Sequence, residues 1–269
     1  MNASLNIHLP KAYDHGPSYS AQVINKNGAV VNFRSPHGNA GSYATANVQS
    51  EISDLQSLSV ATANLADDLA EQVEEIRSEK LPQRVREIVA KHLKPIYARA
   101  LRSARNYQDR YLMEQSARET ITASDNPAID AHTLAIWRDL DLAGKLNALQ
   151  SWDRQGIFAI ARVGQKLSSL PNEHWKAVME RVRYWNYRTG LADAEKNPNF
   201  RVSPSPQRPL AYGVDQLKVD RGFYDMENIA KQQATVVEDA GRFLSDTVAI
   251  AAVCCGITMS DAWQMLNDA

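Results

Sequence analysis

The residues of this chain best equipped for chemistry are cations interleaved with aromatic rings. From Arg181 to Arg188 the order is Arg-Val-Arg-Tyr-Trp-Asn-Tyr-Arg, a pattern in which guanidinium groups can grip phosphates while rings stack on bases. Helical geometry divides the run. Val178, Val182 and Trp185 share one face as core, and Arg181, Tyr184 and Arg188 line another, where they would meet a nucleic acid or a protein partner. The competing reading is a core tryptophan flanked by arginines that lay their aliphatic stems along it. Lys91, Arg102 and Arg105, nearer the N-terminus, could add charge to such a contact.

Other reactive types are poorly arranged. His8, His15 and His37 are spaced by seven and then 22 residues, which fits no zinc pattern. His92, His132 and His174 stand alone on helical segments. Neighbouring acids such as Asp67-Asp68 and Glu74-Glu75 point about 100° apart on a helix and read as a solvated face. Gly-x-Ser-x-Gly, Gly-x-Gly-x-x-Gly and the Walker A loop are absent, so the esterase, dinucleotide and P-loop routes lack support. No catalytic residue, cofactor or metal is expected. The two cysteines, Cys254 and Cys255, are adjacent, and a bond between neighbours would close a strained ring. Free, buried, inert thiols are therefore predicted.

Near the C-terminus, Ala252-Val-Cys-Cys-Gly256-Ile257-Thr258 is followed by Ala262 and Leu266-Asn267. Over Val248 to Asn267 this resembles the helix-turn-helix signature, in which a small residue, a turn glycine four positions on and later apolar positions hold two helices together. The resemblance implies a helical hairpin turning at Gly256, with Ala262 and Leu266 packing back and Trp263 and Gln264 facing a partner or DNA. Met259, Ser260, Trp263 and Gln264 supply no cation, and Asp246, Asp261 and Asp268 make the unit acidic. A hairpin that completes the core is the reading preferred here.

These residues need a scaffold, and composition says which kind. The 269 residues are 44% hydrophobic and 23% charged, with a net charge of -1; that is the make-up of a globular protein rather than a collagen, a disordered tail or a membrane bundle. The near-neutral total offers no overall pull toward nucleic acid or anionic membrane. Met1 to Pro10 lacks a secretory pattern, and the longest apolar run, Val248 to Cys255, is too short to span a bilayer. A soluble cytoplasmic protein is expected, with no membrane contact.

The first 46 residues are turn-rich, with Gly16, Gly28, Gly38 and Gly41. Lys26-Asn27-Gly28 lies between Ala21–Asn25 and Ala29–Phe33, and Asn-Gly between β-prone runs predicts a hairpin arm. From Val48 the pattern turns helical. Ile52, Leu55, Ser59, Thr62, Ala66, Leu69, Val73 and Ile76 predict a long acidic helix whose seam has small middle layers. Pro82 opens a basic helix with Val85, Ile88, Val89, Leu93, Ile96, Ala100, Ala104 and Tyr107 on one side and a kink at Pro95. Acidic then basic helix reads as an antiparallel pair.

Beyond the break at Asn126-Pro127, helices are expected over Ala131–Trp152, Gln155–Leu170 and Pro171–Thr189, the last closed by Gly190. Residues 193–222 carry Pro198, Pro204, Pro206 and Pro209 and read as a long loop. Its Pro206-x-x-Pro209 reads as a stiff connector. A final helix spans Tyr224–Cys255 with Met226, Ile229, Val236 and Phe243 among its core positions, and Ser260 caps a last short one.

The expected fold is thus mainly α, a bundle of six or seven helices with an N-terminal β-hairpin arm (1–46) ahead of a helical domain (47–269). With catalytic signatures missing, the functional expectation is a non-enzymatic assembly or adaptor protein working through self-association or a protein partner. Components of phage or other particles share this build by analogy. The second expectation is nucleic-acid binding through the Arg/aromatic helix and the terminal hairpin.

Overall fold

The computed structural model describes residues 22–25, 28–34, 40–44, 51–73 and 80–267. Among these the fold is mainly helical, with eight α-helices, one more than the upper count read from the sequence. Backbone strands β1 (Gln22–Asn25), β2 (Gly28–Arg34) and β3 (Ala40–Ala44) pair antiparallel in that order. Their side chains and the Lys26-Asn27 turn lie outside the described residues, and with them the packing of the hairpin arm. The chain divides into two compact units, Met1–Arg110 with Gln232–Ala269, and Tyr111–Lys231.

In the first unit, α1 (Ser53–Val73) buries Leu55, Leu58, Thr62, Leu65 and Leu69. The predicted small layer at Ser59 is corrected by one position, to Leu58, and Leu65 is buried further along the seam; the side chain of Ala66 lies outside the described residues. Burying two more leucines outweighs keeping a perfect alternation, since each fully buried leucine contributes about 1.5–3 kcal/mol. Thr62 stays in the seam because its hydroxyl donates to the Leu58 carbonyl at 2.8 Å, which satisfies the only polar group it brings inside. Asp54 in the first turn of α1 meets Arg99 at 3.9 Å and accepts from Ser103, well along α2 (Leu81–Arg118). That pairing is the register of antiparallel helices.

The basic helix runs unbroken through Pro95. It buries Val85, Ile88, Val89, Leu93 and Ala100 as expected, but Tyr97 rather than Ile96 is the fully buried residue of its middle turn. The last part of α7 (Gln216–Cys255) adds Phe243, Val248, Ile250 and Ala251, so the apolar run Val248–Cys255 is core. Thr247, buried among them, donates to the Phe243 carbonyl at 3.0 Å.

In the second unit, Asn126 and Pro127 start α3 (Pro127–Asp139): the Asn126 side chain accepts from the Ala128 and Ile129 amides. The single helix expected over Ala131–Trp152 is two. Asp141 takes the Gly144 amide at 2.7 Å and opens α4 (Leu142–Ser151). Asp153 does the same for the Gly156 amide at 2.9 Å and opens α5 (Arg154–Ser168), which is interrupted at Gly164 by a φ of 78°. Trp137 anchors this core, fully buried, its indole donating to the Ser168 carbonyl at 2.8 Å and its ring 5.6 Å from Trp152.

The next helix, α6 (Asn172–Asn186), passes into one π turn, Tyr187–Leu191. Gly190 lies inside that turn without left-handed geometry, so it is not the cap expected of it; Asp193, φ 38°, takes the left-handed backbone further on. α7 then begins at Gln216 rather than Tyr224, because Asp215 accepts from the Lys218 amide and Val219 and Phe223 supply a buried seam to its first turns. Ile229, placed in the core by its spacing, is half exposed.

Candidate functional site

The Arg/aromatic helix folds most of its polar capacity inward. Tyr184 is buried, not presented: its hydroxyl meets Asp220 Oδ1 at 3.1 Å and its ring lies edge-on to Phe223 at 5.3 Å. Arg181 stacks over the same ring at 4.8 Å and reaches the Gln150 carbonyl at 3.4 Å. Arg188 donates to Gln216 Oε1 at 2.6 Å and Glu195 Oε1 at 3.2 Å while covering Trp185. Between them Arg183 grips Glu227 at 3.0 Å and Glu119 at 3.1 Å. Burial works against the Arg183 charge, but the hydrogen bond and charge of Glu227, with those of Glu119, outweigh it and raise its pKa. Sequence spacing correctly put Val178 and Val182 in the core. It missed that α7 brings Val219 and Phe223 against Tyr184, a tertiary contact that spacing within one helix does not encode.

These contacts position the proline-rich segment that follows. Arg201 forms a bridge with Val214, Val202 donates to the Gly213 carbonyl at 3.1 Å, and Asp215 donates to the Phe200 carbonyl at 2.6 Å. At the far end Ser205 and Arg208 exchange backbone bonds of 3.1 and 2.9 Å around Pro206-Gln207. The result is a two-limbed loop tied at its base and at its tip, with φ fixed at three places by Pro204, Pro206 and Pro209. On it Leu210 is 92% and Tyr212 90% exposed, and Leu217 and Leu191 nearby in sequence are also open. The Arg201 guanidinium sits 5.9 Å from the Tyr212 ring. No periodicity flagged Leu210 or Tyr212; their signal was only two large apolar residues beside Pro209.

In the other unit, the hairpin that resembles a helix-turn-helix is built as expected. Gly256 takes φ 60°, Ile257 donates to the Ala252 carbonyl at 3.0 Å and Gly256 to Val253 at 3.3 Å, the paired bonds of a Schellman turn. The chain bends by 107° into α8 (Met259–Asn267), and Ala262 and Leu266 pack back into the core. Thr258, not Ser260, caps α8: its oxygen accepts from the Asp261 amide at 3.1 Å and its hydroxyl donates to the Asp261 carboxylate at 2.8 Å. Trp263 and Gln264 are exposed on α8, as are Lys91, Arg102 and Arg105 on α2. Of these, Arg105 and Trp263 come together on the rim of one open groove. Arg181, Tyr184 and Arg188 belong to the second unit.

Cys254 and Cys255 are buried free thiols. Burial pushes both up, Cys255 to about 12, so neither is a thiolate at neutral pH. Among the described residues no three of His, Cys, Asp or Glu converge on a point, and no single helix is long and apolar enough to cross a membrane. His8, His15 and His37 lie outside the described residues. No family model, curated protein or solved structure matches this chain.

Proposed function

We propose that this protein works by assembly, joining copies of itself or a protein partner through contacts rather than catalysis. The observation that carries the reading is the stitched loop holding Leu210 and Tyr212 almost wholly in water. An ordered loop loses little further freedom when it docks, so most of the apolar burial becomes affinity. Tyrosine in particular combines a large apolar face with a hydroxyl that a partner can satisfy. The predicted small seam of α1 no longer contributes to this reading, because Leu58 and Leu65 are buried in it and Thr62 is buried within its own unit. The N-terminal hairpin arm remains a second proposed contact.

Nucleic-acid binding is carried by less. Arg181, Arg183 and Arg188 are engaged within their own unit, and α8 offers no cation. That reading would rest on exposed Lys91, Arg102 and Arg105 alone.

The test is sedimentation velocity on the wild type and on a Leu210→Ser, Tyr212→Ser double variant. Both positions are exposed, so circular dichroism and melting should be unchanged. The larger species of the wild type should fall to the monomer in the variant. An identical distribution for the two proteins would overturn the reading.

A further inference from the structure

In the first unit, α2, α7 and α8 border an open groove of about 470 Å³. Its floor is low because Ala104 and Ala240 are small, and on its α7 side Gly241 and Ser245 are exposed. A Cβ built on Gly241 meets nothing within 4 Å. Met259, 47% exposed, and Trp263, 39% exposed, stand along the α8 side. Open apolar surface edged by a tryptophan is the mark of a docking site. The rim is also rich in donors: the Arg105 guanidinium, the Gln108 amide and the Trp263 indole make no hydrogen bond or ion pair among the described residues.

The same chain carries a surface of complementary character. Leu210 and Tyr212 hold apolar side chains in water on the loop between Phe200 and Asp215. Pro204, Pro206 and Pro209 give that loop carbonyls without matching N–H groups, and none of the three carbonyls accepts a backbone bond among the described residues. Proline-rich segments are bound by apolar grooves with aromatic edges. Charge agrees on the α8 side: the loop carries Arg201 and Arg208 and no acid, while the exposed Asp261 is the only charged residue of α8. Arg105, the one cation lining the groove, belongs to α2, where proline carbonyls can accept its hydrogens.

We propose that the occupant of this groove is the proline-rich loop of a second copy. Leu210 and Tyr212 of one molecule lie over Gly241 and Ser245 of the other, beside Trp263 and Met259, and Arg208 reaches toward Asp261. The inference rests on the assembly reading and names the partner that reading leaves open. Loop and groove are different surfaces, so the contact is heterologous and joins copies head to tail, closing into a ring where the rotation allows.

The test is sedimentation velocity on full-length Gly241→Arg and Ser245→Arg, two substitutions at exposed positions that block the groove, beside Gly241→Ala, which adds one methyl to it. Circular dichroism should match the wild type in all three, and none should melt lower. Each arginine variant should be a monomer, and Gly241→Ala should assemble as the wild type does. The deciding sample mixes Gly241→Arg, whose loop is intact, with the Leu210→Ser, Tyr212→Ser variant, whose groove is intact. Across a concentration series the two should form a dimer containing one of each and nothing larger. If Gly241→Arg unfolds, Ser245→Arg takes its place in the mixture. Folded arginine variants that still assemble, or a mixture that stays monomeric, would overturn the proposal and leave the assembly reading in place. A monomeric wild type would overturn both.

Discussion

At the scale of single residues, the polar groups of the second unit are valued by what they hold. Arg183 joins Glu227 and Glu119, and the side chains of Arg183 and Glu227 are only 20% and 16% exposed. Arg183→Ala should therefore destabilise by about 2 kcal/mol, since it leaves a carboxylate poorly solvated as well as unbonded, measured as a shift in urea midpoint at constant slope. In the first unit the thiols set a pH dependence. An ordinary thiol ionises near 9.0 and Cys255 in the folded protein at about 12, so the folded state keeps the proton longer. Stability from this group is complete below pH 9.0 and falls as pH rises toward 12. Urea midpoints should decline across that window, and Cys255→Ala should flatten the decline. A thiol reagent at neutral pH should label neither cysteine until denaturant is added.

At the scale of elements, local chemistry was legible wherever a side chain or a special φ acts on its own neighbours. Asn126-Pro127 starts α3 and Gly256 turns the chain into α8 as the sequence indicates. Gly256→Ala forces an alanine to φ 60° and should cost about 1 kcal/mol; Thr258→Ala, which removes the cap of α8, should cost about as much again. Because the two lie in one turn, the double variant should be less than additive in thermal melts.

Where two registers or two breaks compete, spacing alone misleads. Ser59 and Leu58 are both one helical step from the seam, and only the partner helices choose Leu58. Asp141 lies inside an acceptable helical pattern, yet its side chain captures the Gly144 amide and ends it. The candidate site was legible in part for the same reason. Val178 and Val182 follow from periodicity, but the inward turn of Tyr184 depends on Phe223, 39 residues further along the chain, and the groove bordered by α2, α7 and α8 arises from three helices meeting.

At the scale of the whole molecule, charge and exposure argue for contact with protein. The total of -1 gives no long-range attraction to a polyanion, while Leu210 and Tyr212 stand open on the loop between Phe200 and Asp215. Deleting residues 1–46 should leave the helical signal and cooperative melting intact while abolishing association, followed by circular dichroism and sedimentation in parallel. Loss of folding instead would make that segment part of the core.

The most direct test of assembly is light scattering after size exclusion on full-length protein at low and high salt, with nucleic acid read from the absorbance ratio. The account predicts one discrete, nucleic-acid-free oligomer at both salts, reduced to monomer by Leu210→Ser with Tyr212→Ser. A species that carries nucleic acid at low salt and sheds it at high salt would contradict it, as would a monomer indifferent to the double substitution.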